Sequence, residues 1–476
     1  MPLLSGSMAT SVNIAPECTR SCCPRPDHNM SVSMCLNNGG GLVPLAGIAI
    51  RSGQGNDSAY PGRLVCLPLM LRHIVLDNFK SFAHAEATIA PFTLLVGANG
   101  SGKSNFLDAL RFLHGIAQGW PIGDVVGGHV EGGTRMWNGI RGGQRETVRA
   151  GTSSFKLASD WRILADVYRH VIESDGRTVS QEEIGNLFVA KLLPGSQPIG
   201  KELAIEWLPG SSQPCTVLSS SSTSVISTPV ALTNGFAGVF APTLRGIRFL
   251  DLQVSSMRNY SDKSRGARLA DDGSNLSSVL WTWCQNPQKR SRLVDWVVEL
   301  CSSEIADIEF DETESGDVLL RVVEQNGSKT TAKSLSDGTL RFLGLLAALG
   351  TLGHGETLVI EDLDHGMHPS RLGLLVQAVE ETTHWTAERR SEPPTVIATT
   401  HSPTLLEAAL DFKRSDAEWR ASHPESRPAS LLLFARLDQG RGSIIRNVRS
   451  LPDLAEVRKR RDINYLINTG WLERAL

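Results

Sequence analysis

A chain of 476 residues, 41% of them hydrophobic, can bury a sizeable core and predicts two or three lobes. Its formal charge of −3 excludes general electrostatic attraction to nucleic acid and leaves that role to local patches. The longest strongly apolar stretches, 42–50 and 342–353, fall short of the roughly 18–20 residues a membrane-spanning helix needs, and the N-terminus lacks the basic start and apolar core of a secretory signal, so a cytoplasmic protein without a membrane span is expected.

Residues 1–69 contain no lysine, are rich in Gly, Ser, Pro and Asn and show no sustained period, which predicts a disordered tail or a mis-assigned start with Met70 as the natural beginning. Five of the eight cysteines lie there (Cys18, Cys22, Cys23, Cys35 and Cys66). A metal cluster including His28 is conceivable, but no second CxxC pair exists, and the plainer reading is an unstructured, reduced segment.

From Met70 the text alternates apolar and polar residues and then runs apolar from Phe92 to Val96, as two strands would. Gly97 to Ser104 is a full GxxxxGK[ST] match, followed by Phe106, Leu107, Leu110 and Leu113 at helical spacing, with Gly115 as the predicted end. A strand, a glycine-rich turn and a helix in that order let backbone N–H groups close on phosphate oxygens at a helix N-terminus. Asn99, Gly100, Ser101, Gly102, Lys103, Ser104 and Asn105 are therefore the candidate phosphate-binding residues, with Lys103 neutralising the outer phosphates and the Ser104 hydroxyl on Mg²⁺.

Between this loop and residue 330, residues 155–176 alternate like a hairpin and predict an antiparallel lobe, while 208–229 read as an exposed polar loop. Heptads that would build coiled-coil arms are absent from 116–330. Next, Leu335-Ser336-Asp337-Gly338-Thr339 precedes an apolar helix; Ser336, Asp337 and Gly338 form either a second anion site or a plain N-cap.

The run Thr357–Ile360 reads as a buried parallel strand that ends in Glu361, Asp362 and Asp364. Adjacent carboxylates at a buried strand tip repel unless a cation sits between them, so Glu361 is assigned to Mg²⁺ and Asp362 to the attacking water, with Asp364 read either as a third acid or as a turn residue. A further buried strand, 395–400, ends in His401, placed either against a γ-phosphate or in an ordinary surface role. After His401 only 75 residues remain (476 minus 401), too few for an appended nuclease domain, and Arg458, Lys459, Arg460 and Arg461 read as a solvated helix face or a phosphate contact.

Taken in order, "GANGSGKSN", "SLSDGTLRFLGLLAAL", "VIEDLDHGMHP" and "TTHSP" resemble the Walker A, signature helix, Walker B and switch histidine of the RecF/SMC class of ABC-type ATPase heads, and within it the bacterial predicted ATPases with an AAA-type core, related to the OLD-family ATPase domain. The resemblance spans about 70–476 and implies an α/β P-loop NTPase fold: an ABC/SMC-head-like mixed sheet, with an antiparallel β lobe and a helical insertion. The P-loop core is expected to be split as 70–118 and 290–476 around an inserted region, 119–289. The resemblance further implies ATP and Mg²⁺ as cofactors, catalytic roles for Lys103, Asp362 and His401, and an ATP-dependent homodimer in which one head lends Ser336 to the other's nucleotide. A separate protein effector, a nuclease or a toxin, fits the class, as does DNA. The chain departs from the pattern at Asp362, where the family commonly has Glu, at Leu363 in place of Pro, and in its Q-loop, for which Gln144 is a candidate by position alone.

Overall fold

The computed structural model describes residues 30–33, 47–50, 70–163, 166–185, 188–192, 202–207, 219–220, 222–224, 226, 237–300, 305–383, 393–411, 429–437 and 442–475. The cysteine and histidine cluster proposed within 18–35 lies outside them. Within the first 69 residues, Met30–Ser33 and Gly47–Ile50 pair antiparallel, a hairpin that the composition does not predict; local alternation in MSVS and GIAI is enough for so short a ladder.

Two sheets frame the rest. The first is antiparallel and contains β1 (Met70–Phe79), β2 (Phe82–Thr88), β4 (Phe155–Ile163), β5 (Asp166–Ser174), β6 (Val179–Ile184), β7 (Phe188–Leu192) and β8 (Glu202–Trp207), in the spatial order β2-β1-β4-β5-β6-β7-β8, with Ser219–Ser220 beyond β8. The hairpin expected over 155–176 is β4–β5, in register from Phe155 opposite Ser174 to Ile163 opposite Asp166.

The second sheet has six strands, β9 (Ile247–Leu250), β12 (Thr357–Ile360), β13 (Thr395–Thr400), β3 (Phe92–Val96), β14 (Ala429–Leu437) and β15 (Gly442–Asn447), adjacent in that order. All neighbours run parallel except β15, which pairs antiparallel with β14. Its interior strands are buried on both faces, and their period of two divides them between two cores. Phe92, Leu94, Val96, Leu358, Ile360, Val396, Ala398, Leu431 and Leu433 pack into one; Leu95, Val359, Ile397, Leu432 and Phe434 pack into the other, against α1 (Lys103–Ala117).

The first of these cores is covered by α2 (Leu276–Cys284), α3 (Pro287–Leu300), α4 (Asp337–Gly350), α5 (Leu372–Thr383) and α6 (Pro403–Asp411). A further antiparallel sheet, built on β10 (Ile305–Glu312) and β11 (Asp317–Glu324), packs into it through Ile308, Leu320 and Val322. The fold is thus α/β with an antiparallel lobe and added helices. The boundaries of the insertion are more interleaved than 119–289 implies, because β9, which lies within that stretch, is an edge strand of the central sheet in register with β12. A four-residue run such as IRFL is too short for its period to reveal this. Among the described residues no helix is long and apolar enough to cross a membrane.

Candidate nucleotide-binding site

Parallel register puts the carboxyl ends of three neighbouring strands side by side: Val96 of β3 lies opposite Thr400 of β13, and Ile360 of β12 opposite Ala398 of β13. Ligands of open α/β sheets sit beyond such ends. The Gly97–Ser104 loop, His401 and the Glu361–Asp364 corner all emerge there.

The loop's shape depends on its glycines. Gly97 has φ 148° and its Cα lies so close to the chain that a Cβ would stand 2.2 Å from the Phe434 carbonyl oxygen. Gly102, at φ 115°, precedes α1, whose N-terminus has no side-chain cap, so first-turn N–H groups are left for a ligand. Ser101 Oγ is buried without a hydrogen-bond partner. An uncapped helix start, glycine-dependent backbone and an orphaned hydroxyl fit a phosphate group.

Lys103 is buried and its Nζ donates to the loop's own carbonyls, Gly97 O at 2.7 Å and Ala98 O at 3.0 Å. Burial pushes its amine down to about 8, against the opposing pull of the Asp362 charge. Ser104 is half-buried one residue further on, and Asn99 and Gly100 are exposed at the loop tip. Asn105 is committed elsewhere: its Nδ2 donates to Ser81 Oγ at 2.8 Å, and Ser443 donates to the same oxygen at 2.8 Å, fixing α1 against both sheets.

At the acidic corner the backbone turns sharply, and Asp362 takes a left-handed φ of 49°. Its N–H donates to Thr399 Oγ1 (2.8 Å), and the next residue's N–H, Leu363, donates to Thr399 O (2.9 Å). Half of the Asp362 side chain stays exposed, with Oδ1 at 3.7 Å from His401 Nε2. Asp364 is a turn residue: its Oδ1 accepts from Thr400 Oγ1 at 2.6 Å and its carbonyl accepts from Met367 N.

Glu361 is gripped by two arginines that the sequence reading overlooks. Its Oε1 lies 2.8 Å from Arg141 Nη2 and its Oε2 3.4 Å from Arg111 Nη2. Burial alone would raise the Glu361 carboxyl, but the Arg141 hydrogen bond and the charges of Arg141 and Arg111 outweigh it and hold it below the usual carboxylate range. Both arginines also reach Asp108, a fully buried carboxylate on α1 that Lys80 Nζ approaches to 2.7 Å. Arg111 follows Ser104 by two helical turns, a spacing that places it on the face of Ser104 and is legible in retrospect. Arg141 gives no such signal.

The candidate signature lies on its own corner. Ser336 caps α4, its Oγ accepting from Thr339 N at 3.2 Å, so the plain N-cap reading is realised. Asp337 pairs with Arg258 at 2.5 Å, and Ser336 and Asp337 are both exposed. Gly338 lies against the acidic corner, where a Cβ would come within 2.7 Å of Gly366 O. The structure thus gathers Lys103, Glu361, Asp362 and His401 at adjacent strand ends and gives Ser336 a capping role within its own chain. In the C-terminal run, Arg458 pairs with Asp411, Lys459 with Glu456, and Arg461 stacks on Tyr465, contacts of a solvated structural face.

Strand order and loop define a P-loop nucleotide-binding protein. Residues 70–120 match the family model described as RecF/RecN/SMC N terminal domain, and residues 250–407 match the one described as AAA domain, putative AbiEii toxin, Type IV TA system. In these two segments the chain is similar to P-loop ATPases of the RecF/SMC and AAA families. It is 49% identical over 52 residues to structural maintenance of chromosomes protein 4 of Caenorhabditis elegans, covering 10% of this chain and 3% of that one. It is 41% identical over 46 residues to the DNA replication and repair protein RecF of Clavibacter michiganensis subsp. michiganensis, covering 10% and 11%. The chain thus spans only a small part of these relatives. Among solved structures it is similar to the SMC head domain from Thermotoga maritima (13% identity, 79% of this chain and 98% of that one, TM-score 0.38) and to an Smc head bound to the C-winged helix domain of ScpA (11%, 79% and 97%, TM-score 0.41). Neither matched description names the OLD family.

Proposed function

We propose that this chain hydrolyses ATP in a Mg²⁺-dependent reaction and acts as a nucleotide-gated homodimeric switch. The observation that carries the reading is the convergence of Lys103, Glu361, Asp362 and His401 on the ends of β3, β12 and β13. Loop N–H groups and Lys103 bind and orient the phosphates. Ser104 and Glu361 would hold Mg²⁺, which would supply charge neutralisation at the outer phosphates. Asp362, half-exposed and 3.7 Å from His401, orients the attacking water, and His401 restrains Asp362 or contacts the γ-phosphate.

Dimerisation is supported by the exposure of Ser336 and Asp337 at the start of α4, where a second copy's nucleotide can meet them. Gly338 against Gly366 links that surface to the acidic corner of the same head. The test is mass photometry of Asp362→Asn at micromolar concentration: dimers with ATP and monomers without are expected, and a strict monomer in both conditions would count against the switch.

Genome maintenance or phage defence with a separate nuclease or toxin effector fits the printed descriptions of the two matched families, one naming RecF, RecN and SMC and the other a putative AbiEii toxin of a Type IV TA system. A second reading, an ATP-gated scaffold that does not hydrolyse, draws on Asp362, whose short side chain leaves the carboxylate about one C–C bond behind that of a Glu.

A further inference from the structure

We propose that Glu361 is shared between the Arg141 guanidinium and the metal of a bound nucleotide, so that metal loading displaces Arg141 from the site. This inference rests on the reading of the site as one for nucleotide and Mg²⁺.

The placement of Arg141 carries the argument. One nitrogen, Nη2, lies 2.8 Å from Glu361 Oε1, the carboxylate assigned to the metal, and 3.4 Å from the main-chain carbonyl oxygen of Ser104. Mg²⁺ requires short, near-octahedral oxygen contacts, and a guanidinium on the same carboxylate both occupies its lone pairs and repels the ion. The two cations therefore compete for Glu361.

Of the cations in this cluster, Arg141 is the one that can leave. Its side chain is 48% exposed, against 22% for Arg111 and 5% for Lys80. Buried Asp108 keeps Lys80 at 2.7 Å and Arg111 at 3.1 Å after Arg141 goes, so no uncompensated charge remains in the interior. Lys80 Nζ also donates to the Arg141 carbonyl at 2.7 Å, which pins the backbone and confines the exchange to the side chain. Arg111 stays in place because its guanidinium packs over Phe249 at 5.1 Å. Arg141 lies outside the P-loop strand–turn–helix unit, so the exchange couples metal occupancy to a segment beyond that unit.

Two measurements test this. In the first, ADP binding is titrated with Mg²⁺ for the wild type, Arg141→Gln and Arg141→Lys, with Lys103→Ala as the control for site identity. Losing an ion pair of this exposure should lower the half-saturating Mg²⁺ concentration of Arg141→Gln about three- to fivefold, with Arg141→Lys close to wild type. In the second, phenylglyoxal labelling of the wild-type protein is followed by peptide mass spectrometry, and Arg141 should label faster with ADP and Mg²⁺ than with ADP and a chelator. A midpoint that stays put or rises, or labelling that is unchanged or slower with the metal, overturns the exchange while leaving the nucleotide site intact. Absence of ADP binding, or binding that survives Lys103→Ala, overturns the reading of the site and this inference with it.

Discussion

Lys103 Nζ donates to the carbonyl oxygen of Gly97 at 2.7 Å, so the loop's lysine is held by the loop itself. Burial has lowered its amine to about 8. A phosphate ligand supplies negative acceptors, raises that pKa and draws in a proton wherever the free amine has lost one. Affinity for ADP is therefore constant below pH 8 and falls above it, by at most about tenfold per pH unit, until the higher pKa of the complex is passed. Binding measured between pH 7 and pH 9.5 checks this, and Lys103→Arg should bind with a flat profile.

The left-handed φ of Asp362 supplies a reason for the departure from Glu at this corner. Asp and Asn tolerate that conformation better than longer side chains. Asp362→Asn should keep the fold and nucleotide affinity while reducing turnover by roughly a hundredfold or more, the scale of losing a positioned acid–base group. Asp362→Glu should cost about 1 kcal/mol of stability and extend the carboxylate toward the water. Phosphate-release rates and denaturation midpoints of both variants give the comparison.

Asp108 holds Lys80, Arg111 and Arg141 from a fully buried position. Asp108→Asn leaves Lys80, itself 5% exposed, without its counter-charge. A loss of about 3 kcal/mol is expected in urea denaturation, as when one partner of a buried pair is removed. A loss below about 1 kcal/mol, the range of exposed pairs, would mean that water screens the cluster.

What the sequence discloses depends on how local the determinant is. The strand, glycine turn and helix around Lys103 are contiguous, and so are Glu361 and Asp362 at the end of β12, so period and residue type are enough to place them. Arg141 meets Glu361 across 220 positions through an exposed connection with no period of its own, and nothing short of the folded chain brings them together. The edge strand β9 is concealed by its length, and the engagement of Asn105 with Ser81 depends on how two sheets abut. Ser336 shows the converse: one Ser-Asp-Gly sequence serves equally for a cap and for an anion site, and within one chain the geometry realises the cap.

Steady-state phosphate release tests the central claim, with wild-type protein compared with Lys103→Ala in ATP and Mg²⁺. Turnover that is saturable in ATP, requires Mg²⁺ and falls to background in Lys103→Ala is the result expected of an ATPase built on this site. Release that is absent from the wild type, or equal in the two proteins, would contradict it.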